Sequence, residues 1–498
     1  MTACAAATCL SHAAGALYDG AMRTCAFTLD RRRFLQLLPA ALFARLASGL
    51  EAPSGPWDGP AVVAKLYLGG RPGWPRPDAD LDEEIREIEA RLAELQPRYP
   101  GQIRFTGGQM VRNAQETQAW LERNAEADVV LAFNLVTIIH PMLRALVESG
   151  KPTLLFARPY AGHDWTHAAI YIQRGAKLEM IASSDFADLD PYVPLFRTLH
   201  HLRHSRVLLV SPPAARPSTD GFTQQFGTQF GFPAYADLKA AYEAASAEEA
   251  TRLAREFIRA AVRVVEPTEE EIVRSLRLYL GLREVLRREP ANAIAIDCLG
   301  GFGRGDLPAY PCIAFSKFND AGLYGVCEND LDSTMTQLLV TSFSGKPGFV
   351  TDPVFDTSRN EVIHAHCVSA TRLRGIVAEP SPYLVRSHLE DHKGASMQVL
   401  APAGDRVTVA RFAGPKKFLV STGEAVGNVD DERGCRTKIR TKVADARRLL
   451  LAWSAALNTG SGMPGTRDLL HRVLFYGDHV EAIERLGRLA GFQVVHEG

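Results

Sequence analysis

Short apolar runs alternate with amphipathic helical segments along most of this 498-residue chain, and this alternation limits the fold more than any other feature. Each helix between two strands returns the chain to the same edge of the sheet, so a repeated strand–helix order favours parallel strands. The predicted strands of the first half are residues 61–68, 103–105, 129–133 and 153–156, with predicted helices at 81–96, 113–125 and 141–149. The sequence therefore predicts a mostly parallel sheet with helices on both faces.

A second alternation starts at residue 206 and continues beyond residue 350. Its predicted strands are residues 206–210, 292–298, 323–327, 348–351 and 361–368, with a predicted helix at 331–343. After residue 377 glycine-rich, strand-like runs replace the alternation, which indicates a small antiparallel unit. We therefore predict a three-domain α/β protein: two doubly wound, flavodoxin-like parallel-sheet domains and a C-terminal α/β region that carries a small antiparallel β-barrel.

The predicted domain boundaries follow these changes of pattern. They are residues 1–52 for an export signal and linker, 56–205 for the N-terminal α/β domain, 206–290 for a second α/β domain, 291–375 for the α/β region with the candidate site, and 376–498 for the β-barrel and closing helices. An alternative is that the second and third of these units share one sheet.

A cationic cluster precedes a short apolar run near the N-terminus. Residues 31–35 read Arg-Arg-Arg-Phe-Leu, followed by apolar residues at 37–44 and small ones at 47–49. This order is typical of an export signal, and the apolar run is too short to span a bilayer. It resembles a twin-arginine signal, although Asp30 and Arg45 depart from that pattern. We expect a periplasmic or exported protein; the alternative is an amphipathic N-terminal helix of a cytoplasmic one.

The overall charge balance excludes some classes of partner. Lysine and arginine number 56 against 57 for aspartate and glutamate, a formal net charge of −1. No global field would draw such a chain to nucleic acid or to an acidic membrane surface. We expect no nucleic-acid partner and no stable membrane insertion, and a small neutral molecule as the ligand.

Cysteines and clustered histidines are two further features with a possible role in metal binding. The cysteines beyond the predicted signal are Cys298, Cys312, Cys327, Cys367 and Cys435. They form no C-x-x-C pair, so we interpret them as buried core residues and not as a zinc ribbon or a disulfide framework. The histidine-rich stretch 200–204 lies between predicted elements and is interpreted as a solvated turn. The glycine-rich run 300–305 lacks the lysine of a P-loop and is interpreted as a flexible active-site loop.

Two carboxylates follow neighbouring predicted strands. Glu328 comes after the strand at 323–327, and Asp352 comes after the strand at 348–351. Ligands bind beyond the carboxyl ends of parallel strands, where two such side chains can converge on a hard divalent cation. The alternative is that both are ordinary loop residues and that Asp352 only initiates a turn with Pro353.

A series of short motifs in the C-terminal half carries a family resemblance. These are Cys-Glu-Asn-Asp at 327–330, Ser-Gly-Lys-Pro at 344–347, Asp-Pro at 352–353, His-Cys at 366–367, and the stretch from Leu470 to Asp478. Together they resemble the catalytic core of the L-fucose isomerase family, which is related to the L-arabinose isomerases. The resemblance is specific from about residue 291 onward, and in the N-terminal half it extends to architecture alone.

The resemblance implies a manganese ion held by Glu328, Asp352 and His471, with Mg²⁺ as another suitable ion. It also implies that Glu328 and Asp352 act as the proton-transfer pair of an aldose–ketose isomerase that works through an ene-diol, with the ion bridging substrate oxygens. His364 and His366, two residues apart on one strand face, are competing ligand candidates. For His366 the alternative is a position in a core strand.

The family resemblance further implies a sugar substrate and a homo-trimer or homo-hexamer. A second hypothesis competes with the enzyme. The export signal favours a non-catalytic, exported carbohydrate-binding protein built on the isomerase scaffold, because isomerisation of free aldoses is usually a cytoplasmic reaction.

Overall fold

The computed structural model describes residues 54–457 and 465–498. The arginine-rich segment at 31–35, and with it the predicted export signal, lies outside the described residues. Within the described ranges, none of the helices combines the length and the apolar character needed to cross a membrane.

The first sheet is fully parallel, as predicted. Its strands are β1 (Ala61–Leu68), β2 (Ile103–Val111), β3 (Val129–Asn134), β4 (Thr153–Ala157) and β5 (Leu178–Ala182). Their order in space is β2-β1-β3-β4-β5, which is the flavodoxin-like order. The helices that connect them are α1 (Leu81–Leu95), α2 (Ala114–Arg123), α3 (His140–Glu148) and α4 (Trp165–Gln173). Every residue of β3 is buried, since helices cover both faces of the sheet.

Helix α5 (Val193–His204) leads into a second parallel sheet. The strands of this part are β6 (Arg206–Val210), β7 (Gln229–Gly231), β8 (Arg263–Val264), β9 (Ala293–Ile296) and β10 (Tyr324–Cys327). Four of them form the sheet in the order β10-β9-β6-β7, so strands from both sides of residue 290 share it. The helices are α6 (Asp220–Phe226), α7 (Tyr235–Ala244), α8 (Ala247–Ala260), α9 (Glu269–Arg288), α10 (Cys298–Arg304), α11 (Cys312–Asp320) and α12 (Leu331–Ser344).

The C-terminal part contains a closed antiparallel barrel. The strands are β11 (Phe349–Asp356), β12 (Glu361–His366), β13 (Tyr383–Arg386), β14 (Ser396–Val399), β15 (Arg406–Phe412), β16 (Lys417–Asn428), β17 (Thr437–Lys442), β18 (Arg472–Tyr476) and β19 (Gln493–His496), with helices α13 (Ala446–Ala452), α14 (Thr466–Leu470) and α15 (Val480–Ala490). The barrel runs β15-β18-β11-β12-β17-β16 and closes through the pairing of β15 with β16. Strand β19 extends it in parallel to β16, and β13 lies between β14 and β8 in a separate small sheet. The predicted fold class is confirmed.

The prediction that residues 348–351 continue the parallel sheet is wrong. Strand β11 extends to Asp356 and pairs antiparallel with β12 and β18 inside the barrel. Only residues 357–360 separate β11 from β12. So short a connection can join antiparallel strands but not parallel ones, because parallel strands need a long crossover. Asp352 is therefore a residue within an antiparallel strand and does not follow the end of a parallel one.

Two local predictions also need correction. The run at 300–305 is not a flexible loop but belongs to α10, which Asp297 caps through the backbone N–H of Gly300 and which ends at Gly305 in the left-handed conformation. The histidine stretch 200–204 is not a solvated turn. It forms the last turn of α5, and its residues His200 and His201 are buried.

Candidate active site

Three neighbouring barrel strands bring three candidate side chains to one place. Thr351 in β11 pairs with Arg472 in β18, so Asp352 and His471 lie one position further along the same strand pair. On the other side of β11, Asp352 pairs with Ala365, the neighbour of His366. Residues that are far apart in sequence thus meet through antiparallel register.

The fourth side chain comes from the second parallel sheet. Glu328 follows β10 directly, as the alternating pattern predicts. Its backbone φ is +59° and that of Asn329 is +53°, so two consecutive non-glycine residues adopt the left-handed conformation. Residues that carry a side chain rarely adopt this backbone conformation, and those that do are concentrated at functional sites. The tight turn places the carboxylate of Glu328 against the barrel.

The distances between these side chains define the cluster. Nε2 of His471 lies 3.3 Å from Oδ1 of Asp352 and 3.8 Å from Oε2 of Glu328. Nε2 of His366 lies 3.6 Å from Oε1 of Glu328. The ligand atoms of Glu328, His366 and His471 lie within 4.8 Å of one another. The structure thus brings together Glu328, Asp352 and His471, the set named from the sequence, and adds His366.

A buried aspartate holds the imidazole of His471 in place. Nδ1 of His471 lies 2.8 Å from Oδ2 of Asp330, and Nη1 and Nη2 of Arg411 donate to the two oxygens of Asp330 at 2.5 and 3.0 Å. Asp330 also caps α12 by accepting from the backbone N–H and the hydroxyl of Ser333. Burial alone would raise the pKa of Asp330, but Arg411 and His471 outweigh it and hold that pKa well below its usual range.

The protonation of His471 follows from this contact. An ionised Asp330 only accepts hydrogen bonds, so Nδ1 of His471 carries a proton, and in the neutral ring Nε2 is then a lone-pair donor. That lone pair faces carboxylate oxygens of Asp352 and Glu328. Oδ1 of Asp352 is buried and has no aligned hydrogen-bond partner among the described residues. Electron pairs that converge in this way require a positive charge between them.

The structure allows two sources for this positive charge. The first is a proton: burial lowers the pKa of His471, but Asp330 and Asp352 outweigh it, and the net shift is upward. The second is a metal ion. Carboxylate oxygens and an imidazole nitrogen, with no thiolate among them, are a donor set that suits hard or borderline divalent cations such as Mn²⁺ and Mg²⁺. The residues present therefore fit a divalent cation.

The two histidines of β12 have different surroundings. The ring nitrogens of His364 lie 3.2 Å from Oγ1 of Thr351 and 3.0 Å from Oγ1 of Thr441. Burial lowers the pKa of His364 to about 3, so this ring is neutral at ordinary pH. Both ring nitrogens of His364 thus contact threonine hydroxyls, and His364 is not part of the cluster. His366 faces Glu328, which makes it the nearer alternative to His471 as a ligand.

Sequence reasoning missed Asp330 and Arg411 as supporting residues. Asp330 precedes a helix and has Ser333 three residues later, and this spacing does predict a helix cap. Its contact with His471 spans 141 residues, and its contact with Arg411 spans 81. No local pattern could have revealed either of these contacts.

The comparisons with known proteins find distant relatives among the sugar isomerases. Over 231 residues the chain is 22% identical to the sulfoquinovose isomerases of Priestia aryabhattai and Priestia megaterium. The match covers 45% of this chain, and the chain spans about half the length of these curated relatives, 48%. No family model matches the chain. What the comparisons show is a distant likeness to enzymes that isomerise a sugar.

Proposed function

We propose that this protein is an aldose–ketose isomerase that holds a divalent cation, Mn²⁺ or Mg²⁺, with Glu328, Asp352 and His471. The observation that carries the proposal is the convergence of His471 Nε2 with oxygens of Asp352 and Glu328 at 3.3 and 3.8 Å, while Nδ1 of the same ring is held by Asp330. The distant likeness to sulfoquinovose isomerases gives independent support for the reaction class.

In this proposal the two carboxylates share the proton transfer. Isomerisation moves a proton between adjacent carbons of the sugar, which needs a base and an acid within reach of the same substrate atoms. Burial raises the pKa of Asp352, but the nearby His471 and His366 outweigh it and the net shift is downward. Asp352 is therefore ionised at neutral pH and available as the base, with Glu328 on a separate backbone segment as its partner.

The supporting residues keep these groups in place. Asp330 orients the ring of His471, and Arg411 orients Asp330 in turn. A bound divalent cation would supply Lewis-acid stabilisation of the negative charge that develops on the sugar oxygens. The left-handed turn at Glu328 holds that carboxylate toward the barrel strands.

The test uses the full chain, freed of metal and reloaded with Mn²⁺. It is assayed against a panel of aldoses and ketoses that includes L-fucose, L-arabinose and a sulfonated hexose. We expect interconversion of at least one pair, dependence on the added ion, and loss of turnover in Glu328→Gln. Absence of turnover on the whole panel, together with unchanged metal content in Glu328→Gln, would refute the proposal. Tight sugar binding that persists in EDTA would instead support a carbohydrate-binding protein.

A further inference from the structure

All cysteines of the described residues gather beside the candidate active site. They are Cys298, Cys312, Cys327, Cys367 and Cys435, and each is a free thiol. Cys367 is at the centre: its Sγ lies within 4.8 Å of that of Cys327, and the neighbouring thiols of Cys312, Cys327 and Cys435 lower its pKa. The thiol of Cys298 in turn raises the pKa of Cys327. Four of the five are buried, as the sequence predicts, and Cys435 is partly exposed. Burial alone does not explain why they lie together.

A histidine completes the set of donors. Nδ1 of His366 lies 3.6 Å from Sγ of Cys367. The ligand atoms of Cys327, His366 and Cys367 all lie within 4.8 Å of one another, and all three residues are buried. In a tetrahedral zinc site with Zn–S of about 2.3 Å and Zn–N of about 2.0 Å, the sulfur–nitrogen edge is about 3.5 Å. The spacing of His366 and Cys367 is close to that edge.

A small void adjoins the thiols. It is too small to hold a water molecule and is lined in part by Cys327, His366 and Gln337. Gln337 is 1% exposed, and its Nε2 has no hydrogen-bond partner among the described residues. A buried amide donor without a partner is costly, whereas a thiolate beside it would accept a hydrogen bond from that amide.

We propose that Cys327, Cys367 and His366 Nδ1 form a binding site for a soft or borderline metal ion, with Zn²⁺ as its ligand and a thiol of Cys312 or Cys435 as the fourth donor. Thiolates with imidazole select Zn²⁺, whereas carboxylate oxygens suit Mn²⁺ and Mg²⁺. The site is distinct from the carboxylate cluster and does not depend on the proposed isomerase activity.

His366 stands between the two clusters and is assigned to the thiol side. Its Nδ1 faces Cys367, and its Nε2 lies 3.6 Å from Oε1 of Glu328. A metal ion on Nδ1 leaves the ring proton on Nε2, where it points toward the carboxylate of Glu328. The imidazole that remains for the carboxylate cluster is then His471.

The experiment is X-ray absorption on the reduced, full-length protein that carries one equivalent of Zn²⁺. We expect sulfur scatterers at about 2.3 Å in the first shell. A shell of nitrogen and oxygen at about 2.0 to 2.1 Å without sulfur would overturn the proposal.

Variants assign the signal to residues. Cys327→Ser is expected to weaken Zn²⁺ binding at least tenfold and to reduce the sulfur signal, while Cys298→Ser, a matched control outside the proposed ligand set, retains both. Retention of the full sulfur signal in both Cys327→Ser and Cys367→Ser would contradict the proposal. If Cys367→Ser does not fold, the unmodified protein and Cys327→Ser still decide the question. Failure of the isomerase assay would leave these results unaffected.

Discussion

Two clusters in this molecule contain the same residue types and differ in how their polar atoms are satisfied. The first lies beneath the N-terminal sheet and consists of Asp128, His200 and His204, whose ligand atoms lie within 4.8 Å of one another. The second is the candidate active site, in which Glu328 and Asp352 face His471. Residue composition alone would make both of them metal sites.

The hydrogen bonds separate the two clusters. Oδ2 of Asp128 accepts from the backbone N–H of Val62 and lies 2.8 Å from Nδ1 of His200, while Oδ1 accepts from Arg203. Nε2 of His200 lies 3.0 Å from the carbonyl oxygen of Pro56. Both ring nitrogens of His200 thus already have hydrogen-bond partners within the protein. In the candidate active site, Oδ1 of Asp352 has no aligned partner among the described residues.

The contrast shows that a ligand site is better recognised by whether its hydrogen-bonding groups lack partners in the protein than by which residue types it contains. A buried polar group without a partner costs free energy, and a structure that retains one has a use for it. The N-terminal cluster is complete without a ligand and fixes α5 against the first sheet. The candidate active site is complete only with a bound positive charge.

The largest expected effect comes from the same isosteric change made in each cluster. Asp352→Asn removes a charged oxygen from the candidate active site, and we expect it to weaken Mn²⁺ binding by more than about 100-fold, beyond the usual loss for an outer-shell partner. Asp128→Asn should leave Mn²⁺ binding unchanged and lower the free energy of unfolding by about 3 kcal/mol, because it disrupts the hydrogen bonds of a buried carboxylate with His200, Val62 and Arg203. Calorimetric metal titration and chemical denaturation measure the two effects.

The comparison fails if these outcomes are exchanged. Loss of metal on Asp128→Asn, with Asp352→Asn still binding Mn²⁺ like the unmodified protein, would make the N-terminal cluster the ion site. Ser358→Ala, on the turn between β11 and β12, is a suitable control, since the partner of its hydroxyl among the described residues is the half-buried Asp356.

A smaller effect is expected from the residue behind His471. Asp330→Asn keeps the shape of the side chain but weakens its hold on Nδ1 of His471, and we expect metal affinity to fall by about 10- to 100-fold. The same change disturbs the pair with Arg411, which is 1% exposed, so thermal unfolding must be measured alongside. An affinity equal to that of the unmodified protein in folded Asp330→Asn would show that Asp330 does not orient the ligand.

Local sequence pattern predicted much of the fold for a clear physical reason. Strands buried on both faces, such as β3 and β4, are continuous apolar runs, and the helices between them show the 3.6-residue period. The position of Glu328 after β10 follows from the same logic. These features depend on short-range periodicity, which the sequence displays directly.

The features that the pattern did not predict depend on pairing over long distances. Antiparallel strands can be placed only when their partners are known, so Asp352 was assigned to the wrong sheet, although residues 357–360 have the length of a hairpin connection. His471 was named through a family resemblance, and its partner Asp330 was not. The thiols lie on separate elements between residues 298 and 435, and only the folded chain brings them together.

The smallest expected effect is a difference in sign between the pH dependence of the two clusters in metal-free protein. Burial raises the pKa of Asp128, but His200, Val62 and Arg203 outweigh it and the folded-state pKa is lowered. The stability that Asp128 contributes is therefore fully present above its unfolded-state pKa of about 3.9 and is lost as the pH falls through its folded-state pKa.

His471 behaves in the opposite way, because its folded-state pKa is raised above 6.5. Its stabilisation is complete below about 6.5 and is lost as the pH rises through the folded value.

Denaturation across a pH series separates the two contributions. We expect Asp128→Asn to flatten the acid side of the stability profile and His471→Gln to flatten the side above neutrality. Added Mn²⁺ should also remove the dependence above neutrality, since the ion takes the place of the proton on Nε2 of His471 and binding to the folded state adds stability of its own. The acid side of the profile, to which Asp128 contributes, should be unchanged by Mn²⁺, because the oxygens of Asp128 and the ring nitrogens of His200 already have partners in the protein. A Mn²⁺-induced change that depends on Asp128 and not on His471 would reverse the assignment of the two clusters.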